Sequence, residues 1–337
     1  MTLDEASKAL PGLFEQKNYS ACAELSMQIV KFQPHNPAAL YFLGRIAEMQ
    51  GAPDEASKAY RHASLAFPHD RTLFDAAVRT MAAEQRQEFC ASVESRKADI
   101  AAFPHKPAVE LVENAAGRMF VPVFPDNDVI VQAIRSGQVF DQNIIACASE
   151  YIRSGTAVLD VGANFGQMAL QFARLVGQTG RVFALEADDY VHHVLHRNVE
   201  VNGASNVTTV NKAVHEVSGK QVYFPDQDFA RFSSYGSYGI DPNAKTGRAV
   251  ETITIDSLKI EQPISFMKVD VQGCDLFAMR GAKQTIARHR MPIIFEYEEQ
   301  FQQEFGTTFQ DYVDFVAEVG YRFLRTVDNI NFLIVPR

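Results

Sequence analysis

The chain has 337 residues, of which 47% are hydrophobic and 22% charged, the balance of a soluble globular protein with room for two cores. Thirty-two Lys and Arg stand against 41 Asp and Glu, a formal charge of -9, which argues against a surface built for nucleic acid or an anionic membrane. Cys22, Cys90, Cys147 and Cys274 are scattered with no CxxC pair, so neither a disulfide framework nor a zinc knuckle is expected, and a reducing, cytoplasmic setting fits.

In chain order, the first residues show no basic segment followed by an apolar one, and no apolar run approaches the roughly eighteen residues that span a bilayer. No leader and no membrane span are expected. Residues 1–104 are helical in pattern, rich in alanine and punctuated by Pro34, Gly51, Pro53, Pro68 and Pro104. Pro34 and His35 fall on Pro68 and His69 at an offset of 34 residues, the tetratricopeptide period. Leu43 and Gly44 sit where two helices approach, Ala56 and Ala63 keep the second helix close, and Tyr60 fills the gap. This stretch resembles a tetratricopeptide repeat, with weaker copies on either side as caps. Such a stack leaves a concave face, open to a peptide, another subunit or a neighbouring domain.

At about residue 105 the pattern changes. Strands at 109–113 and 118–124 flank a hairpin turn at 114–117, in a lead-in that covers 108–140, and a helix over 142–153 follows. Strands then alternate with helices: 157–161, 181–186, 206–210, 265–270 and 291–297. A closing hairpin, 321–327 with 330–335, turns the last strand antiparallel. The expected fold is α/β: a Rossmann-like doubly wound sheet of the class I methyltransferase type over 105–337, preceded by an all-α domain over 1–104.

The chemistry lies at the strand ends. The segment 157–167 is a buried strand that ends in Asp160 and a turn with Gly162 and Gly166, before a helix over 168–175. It lacks the GxGxxG that cradles a pyrophosphate, and Asp160 would repel one. A nicotinamide-dependent oxidoreductase is thereby disfavoured. Glu186 ends the next strand, where a carboxylate accepts hydrogen bonds from both ribose hydroxyls. Two acids, two glycines and no phosphate cradle point to S-adenosylmethionine, a cation with a ribose. Asn211, Asp270 and Glu296 close three further strands and are expected at the same crevice. Asn211 is assigned to the adenine edge, although asparagine is also an ordinary turn residue.

The motifs DVGANFG at 160–166, ALEAD at 184–188 and MKVDVQGCDLFAMRGA from Met267 resemble those of the FkbM-type methyltransferases over about residues 108–337. That family reads DVEG where this chain has Asp270, Val271, Gln272 and Gly273, an amide in place of a carboxylate. The resemblance implies S-adenosylmethionine-dependent O-methylation of a hydroxyl on a sugar, glycan, lipid or secondary metabolite. It places the cofactor on Asp160, Gly162, Ala163, Asn164, Gly166, Glu186, Ala187, Asn211 and Asp270. Asp270, with Glu296 second, is the candidate base for the hydroxyl proton, while capping or holding the cofactor's ammonium group are the rival roles for Asp270. The alternative function is a non-catalytic scaffold of the same fold that uses the helical repeats for protein assembly.

His192, His193 and His196 share a helix, with His192 and His196 at i, i+4, but no HExxH pattern or cysteine partner accompanies them and no metal is expected. The segment 226–246, with Phe229, Phe232, Tyr235 and Tyr238, reads as a flap whose rings either stack on the acceptor or pack the flap down.

Overall fold

Thr2 opens the first helix with a capping box: its hydroxyl accepts from Glu5 N at 3.2 Å while Glu5 accepts from Thr2 N at 2.8 Å. Asn36 and Asp70 cap later helices with the side chain alone, accepting from Ala39 N at 3.0 Å and Leu73 N at 3.1 Å. The computed structural model describes residues 2–33, 35–104, 106–114, 117–123, 128–224, 234–236 and 239–337. They fall into two compact units, Met1–Glu110 with Pro122–Asp126, and Leu111–Val121 with Asn127–Arg337.

The first unit carries α1 (Leu3–Glu15), α2 (Tyr19–Phe32), α3 (Pro37–Met49), α4 (Pro53–Ala66), α5 (Arg71–Thr80) and α6 (Ala83–Ala102). Successive helices from α1 to α5 pack on one another, and α4 also meets α6. Gly44 on α3 faces the ring of Tyr60 on α4 so closely that a Cβ there would stand 2.5 Å from Tyr60 Cε1. Tyr60, Ala56 and Ala63 are fully buried, and the Tyr60 hydroxyl donates to Glu48 at 2.6 Å. Leu43, expected in the same contact, is only half-buried and borders a surface groove with Met27 and Ile46.

After β1 (Val109–Asn114) and β2 (Gly117–Pro122), which form a two-stranded sheet, come α7 (Val129–Arg135) and α8 (Gln142–Ser149). The helix expected over 142–153 therefore ends four residues early. β3 (Ala157–Val161), α9 (Gln167–Val176), β4 (Arg181–Leu185), α10 (Asp189–Val201) and β5 (Val207–Val210) follow, then β6 (Ala213–Val214), β7 (Gln221–Phe224) and β8 (Arg248–Ile253). The chain continues through β9 (Ile264–Val269), α11 (Asp275–Arg280), α12 (Lys283–His289) and β10 (Ile293–Glu296). It closes with α13 (Glu299–Phe305), α14 (Phe309–Glu318), β11 (Tyr321–Thr326) and β12 (Asn331–Pro336).

Seven strands make the main sheet in the order β11-β12-β10-β9-β3-β4-β5. β3 pairs in parallel with β4 and β9, and β12 is antiparallel to both β10 and β11. The chain thus starts in the middle, winds outward through β4 and β5, then returns to the other side of β3 through β9. That reversal between β3 and β9 is the switch point at which such sheets bind ligands. β3 is buried on both faces, Asp160 included: Leu159 and Val161 face one core with Met267 and Val269, while Val158 faces the other with Phe266. β6, β8 and β7 form a separate three-stranded sheet.

Candidate functional site

Gly162 has φ +79°, and a Cβ on it would collide with the carbonyl oxygen of Asp270. Only glycine allows the turn after β3 to lie against the end of β9. Gly162 N and Ala163 N both donate to Leu185 O, at 2.9 and 3.0 Å, which holds the same turn to β4. Asn164 adopts the left-handed region at φ +49°, and its own side chain accepts from Phe165 N at 2.7 Å.

Glu186, one residue beyond β4, accepts from Asn164 N and Asp188 N, each at 2.9 Å. Burial pushes its carboxyl up to about 7, against the pull of those two donors. Asp188 caps α10 through Val191 N at 2.8 Å and pairs with Arg248 of β8 at 2.7 Å, while Arg248 also meets Asp189. No sequence signal pointed to Arg248, because its partners lie 59 and 60 residues away along the chain.

Lys268 of β9 is the other residue that sequence reasoning passed over. Its Cα is the register partner of Asp160 across β3 and β9, and its Nζ lies 3.7 Å from Asp160 Oδ1 and 3.1 Å from Asp270 Oδ2. Burial opposes the charge on Lys268, yet the carboxylates of Asp270 and Asp160 hold it above the ordinary lysine range. Asp160 is fully buried, and desolvation lifts its carboxyl to about 6 in spite of Lys268.

Asp270 follows β9 directly. Gln272, at φ +50°, donates its single amide nitrogen to Asp270 Oδ1 at 3.0 Å and to Glu296 Oε2 at 2.9 Å. Burial and the nearby charge of Asp270 drive the Glu296 carboxyl well above the usual carboxylate range. Glu298 is raised for the same two reasons. Among the described residues the Gln272 Oε1 atom is buried without a hydrogen-bond partner.

These groups converge on one pocket of about 210 Å³, lined by Gly162, Ala163, Asn164, Glu186, Ala187 and Asp270, with Gln272, Glu296 and Glu298 beside them. Three expected contacts differ. Asp160 lies behind Lys268 rather than on the pocket wall, because its β3 position is closed on both faces. Gly166 does not line the pocket; it gives α9 room to pass Leu195 of α10. Asn211 is exposed, and its amide donates to the carbonyls of Glu186 and Ala187 at 2.9 and 3.1 Å, shaping the wall from outside. Of the aromatic segment, Phe229, Phe232 and Tyr238 lie outside the described residues. Tyr235 is packed down against Phe165 and Tyr190, its backbone N–H held by Asp128, and it borders the pocket. His192 and His196 stack at 6.4 Å, and His196 instead meets Thr209 and Glu200.

The order of the seven strands, the switch point and the acid-rimmed pocket define a class I methyltransferase domain. Residues 160–323 match the methyltransferase FkbM domain. A crystal structure of methyltransferase FkbM from Methylobacillus flagellatus KT is similar at 17% identity and a TM-score of 0.37, covering 56% of this chain and 49% of that one. So is TYW2 of M. jannaschii in complex with AdoMet, at 11% identity and a TM-score of 0.35, over 68% of this chain and 87% of that one. A Sulfolobus acidocaldarius protein bearing the name cobalt-precorrin-6B C(15)-methyltransferase (decarboxylating) is 28% identical over 102 residues, 30% of this chain and 53% of that protein. The chain thus spans about half the length of the curated relative it matches.

S-adenosylmethionine is the cofactor of this domain class. The residues present fit it: a carboxylate at the tip of β4, a turn held open by Gly162, and an acidic rather than basic rim. Among the described residues no helix is long and apolar enough to cross a membrane.

Proposed function

We propose that this chain is an S-adenosylmethionine-dependent O-methyltransferase whose acceptor is a hydroxyl of a sugar, glycan, lipid or secondary metabolite. The observation that carries this reading is the hydrogen-bonded group Asp270, Gln272 and Glu296 on the wall of the pocket that Glu186 and the turn 162–164 also line.

Glu186 would hold the ribose hydroxyls, with Gly162, Ala163, Asn164 and Ala187 against the nucleoside. When bound, the cofactor supplies an electrophilic methyl group. The chain's own task is to orient a hydroxyl, exclude water and take up its proton. Asp270, with Lys268 beside it, takes the role of acceptor of the hydroxyl proton, and Glu296, whose carboxyl is raised by burial and by Asp270, is the second candidate. Gln272 fixes the two carboxyls with one amide group, and Lys268 keeps a positive charge beside Asp270. Asp160 acts from behind, through Lys268. For the helical unit we propose a stack of tetratricopeptide-like repeats over 1–104, supported by the close fit of Gly44 on Tyr60.

The test is transfer of labelled methyl to a metabolite and glycan extract from a strain that lacks the protein. Asp270→Asn should keep cofactor affinity within about tenfold and lower incorporation by about a hundredfold or more. Equal incorporation would remove Asp270 as the base. Label found on nitrogen or carbon would overturn O-methylation, and cofactor binding without transfer would favour the scaffold.

A further inference from the structure

We propose that His35, His62 and Glu110 form a binding site for a first-row transition-metal ion of the Zn2+ type in the helical unit. The three residues come from separate elements: His35 from the turn between α2 and α3, His62 from α4, and Glu110 from the start of β1. His62 Nε2 lies 2.8 Å from His35 Nδ1, and His35 Nε2 lies 3.5 Å from Glu110 Oε1. One donor atom from each of the three stands within 4.8 Å of the other two. The rings of His35 and His62 meet edge to face, 4.7 Å apart at 78°, so their nitrogen edges converge rather than stack.

Two imidazoles and a carboxylate are a donor set that suits Zn2+, and three protein ligands leave a fourth position for water. With Zn–N bonds of about 2.0–2.1 Å, donor atoms on a tetrahedral ion stand roughly 3.3 Å apart. The 2.8 Å contact is made by His35 Nδ1 and the 3.5 Å contact by His35 Nε2, so an ion held on one of the two nitrogens asks the remaining donor to close in from within 4.8 Å toward that spacing. His35 gives one nitrogen to the ion and keeps the other as a hydrogen-bond donor. Its side chain is 11% exposed and that of Glu110 16%, a shielded position, while His62 also borders a surface groove of the same unit through which an ion can enter.

The 34-residue register of the sequence sets His35 equivalent to His69, yet it is His35 that meets a second imidazole and a carboxylate. Among the described residues no comparable trio surrounds His192 and His196. An ion here would tie the exit of the helical unit, at Glu110, to α4 and to the turn before α3.

The test is titration of the full-length chain, stripped with EDTA, with Co2+ followed by visible absorption, and with Zn2+ in competition. One equivalent of Co2+ should produce ligand-field bands that Zn2+ abolishes, and Zn2+ should raise the melting temperature. His62→Ala and Glu110→Gln should weaken binding by about tenfold to a hundredfold or more, with helix content checked by circular dichroism. If His62→Ala fails to fold, the isosteric Glu110→Gln and the wild-type titration decide alone. Absence of bands in the wild type overturns the site. So do equal affinity in Glu110→Gln and loss of binding only in a His192→Ala, His196→Ala variant.

Discussion

Lys268 Nζ donates to the carbonyl oxygen of Gly162 at 2.9 Å, so a buried cation ties β9 to the turn after β3. The same ammonium is the counter-charge of Asp160, which has no access to water. Lys268→Met should therefore lower the stability of the methyltransferase unit by about 3–5 kcal/mol, since the lost partner leaves a buried carboxylate uncompensated. Chemical denaturation gives the value. The double variant Asp160→Leu, Lys268→Met should recover most of it, and a single variant of wild-type stability would show that the pair carries no net energy.

Glu186 is the residue assigned to the ribose. Glu186→Gln keeps the size and one acceptor oxygen but loses the charge, and a hydrogen bond to a charged group is worth about 1.5–3 kcal/mol. Calorimetry with S-adenosylhomocysteine should show affinity falling by about ten- to a hundredfold. Unchanged affinity would take Glu186 out of the cofactor site.

The same carboxyl makes a pH prediction. Its folded pKa, about 7, lies above the ordinary 4.5, so the folded state holds the proton more tightly than the unfolded chain does. Its contribution to stability is present below about pH 4.5 and is lost as the pH rises through about 7. Asp160, pushed up to about 6, acts in the same direction. His192 and His215, lowered by burial, act in the opposite one, which makes the difference between wild type and Glu186→Gln the proper measure. That difference in unfolding free energy should fall as the pH rises from about 5 to 8, by at most about 1.4 kcal/mol per pH unit. A difference that grows with pH would contradict the assignment.

In the helical unit Gly44→Ala should destabilise. The new methyl would meet the Tyr60 ring at 2.5 to 2.8 Å, and that ring is fully buried and held by its bond to Glu48. Overpacking of this kind costs about 1–3 kcal/mol, offset by up to about 1 kcal/mol of helix propensity. A urea midpoint at or above that of the wild type would mean that the ring has room to move.

What could be read from the chain beforehand follows burial. β3, β4, β9 and β10 are closed on both faces, or nearly so, and mostly apolar runs announce them, with a charge inside the run at Asp160 in β3 and at Lys268 in β9. β6, β7 and β8 gave no such signal: β6 has two residues, and β7 and β8 mix exposed with buried positions over a few residues each. Asp270, Glu186 and Glu296 were legible because the end of a parallel strand is a fixed place in the fold. Lys268 was not, since its meaning depends on which residue of β3 stands opposite it, and Asp160 appeared as a ligand contact until that register placed a lysine in front of it. The meeting of His35, His62 and Glu110 is likewise a matter of tertiary packing, invisible to any local spacing.

Gly162 leaves its neighbours no latitude either. With the Asp270 carbonyl where any side chain would begin, the tips of β3 and β9 behave as one welded edge. An engineer who wished to retune what this pocket admits would gain nothing from diversity at position 162. The room for new shapes lies at Phe224, Ser234 and Ile240, which border the same space from segments outside the seven-stranded sheet.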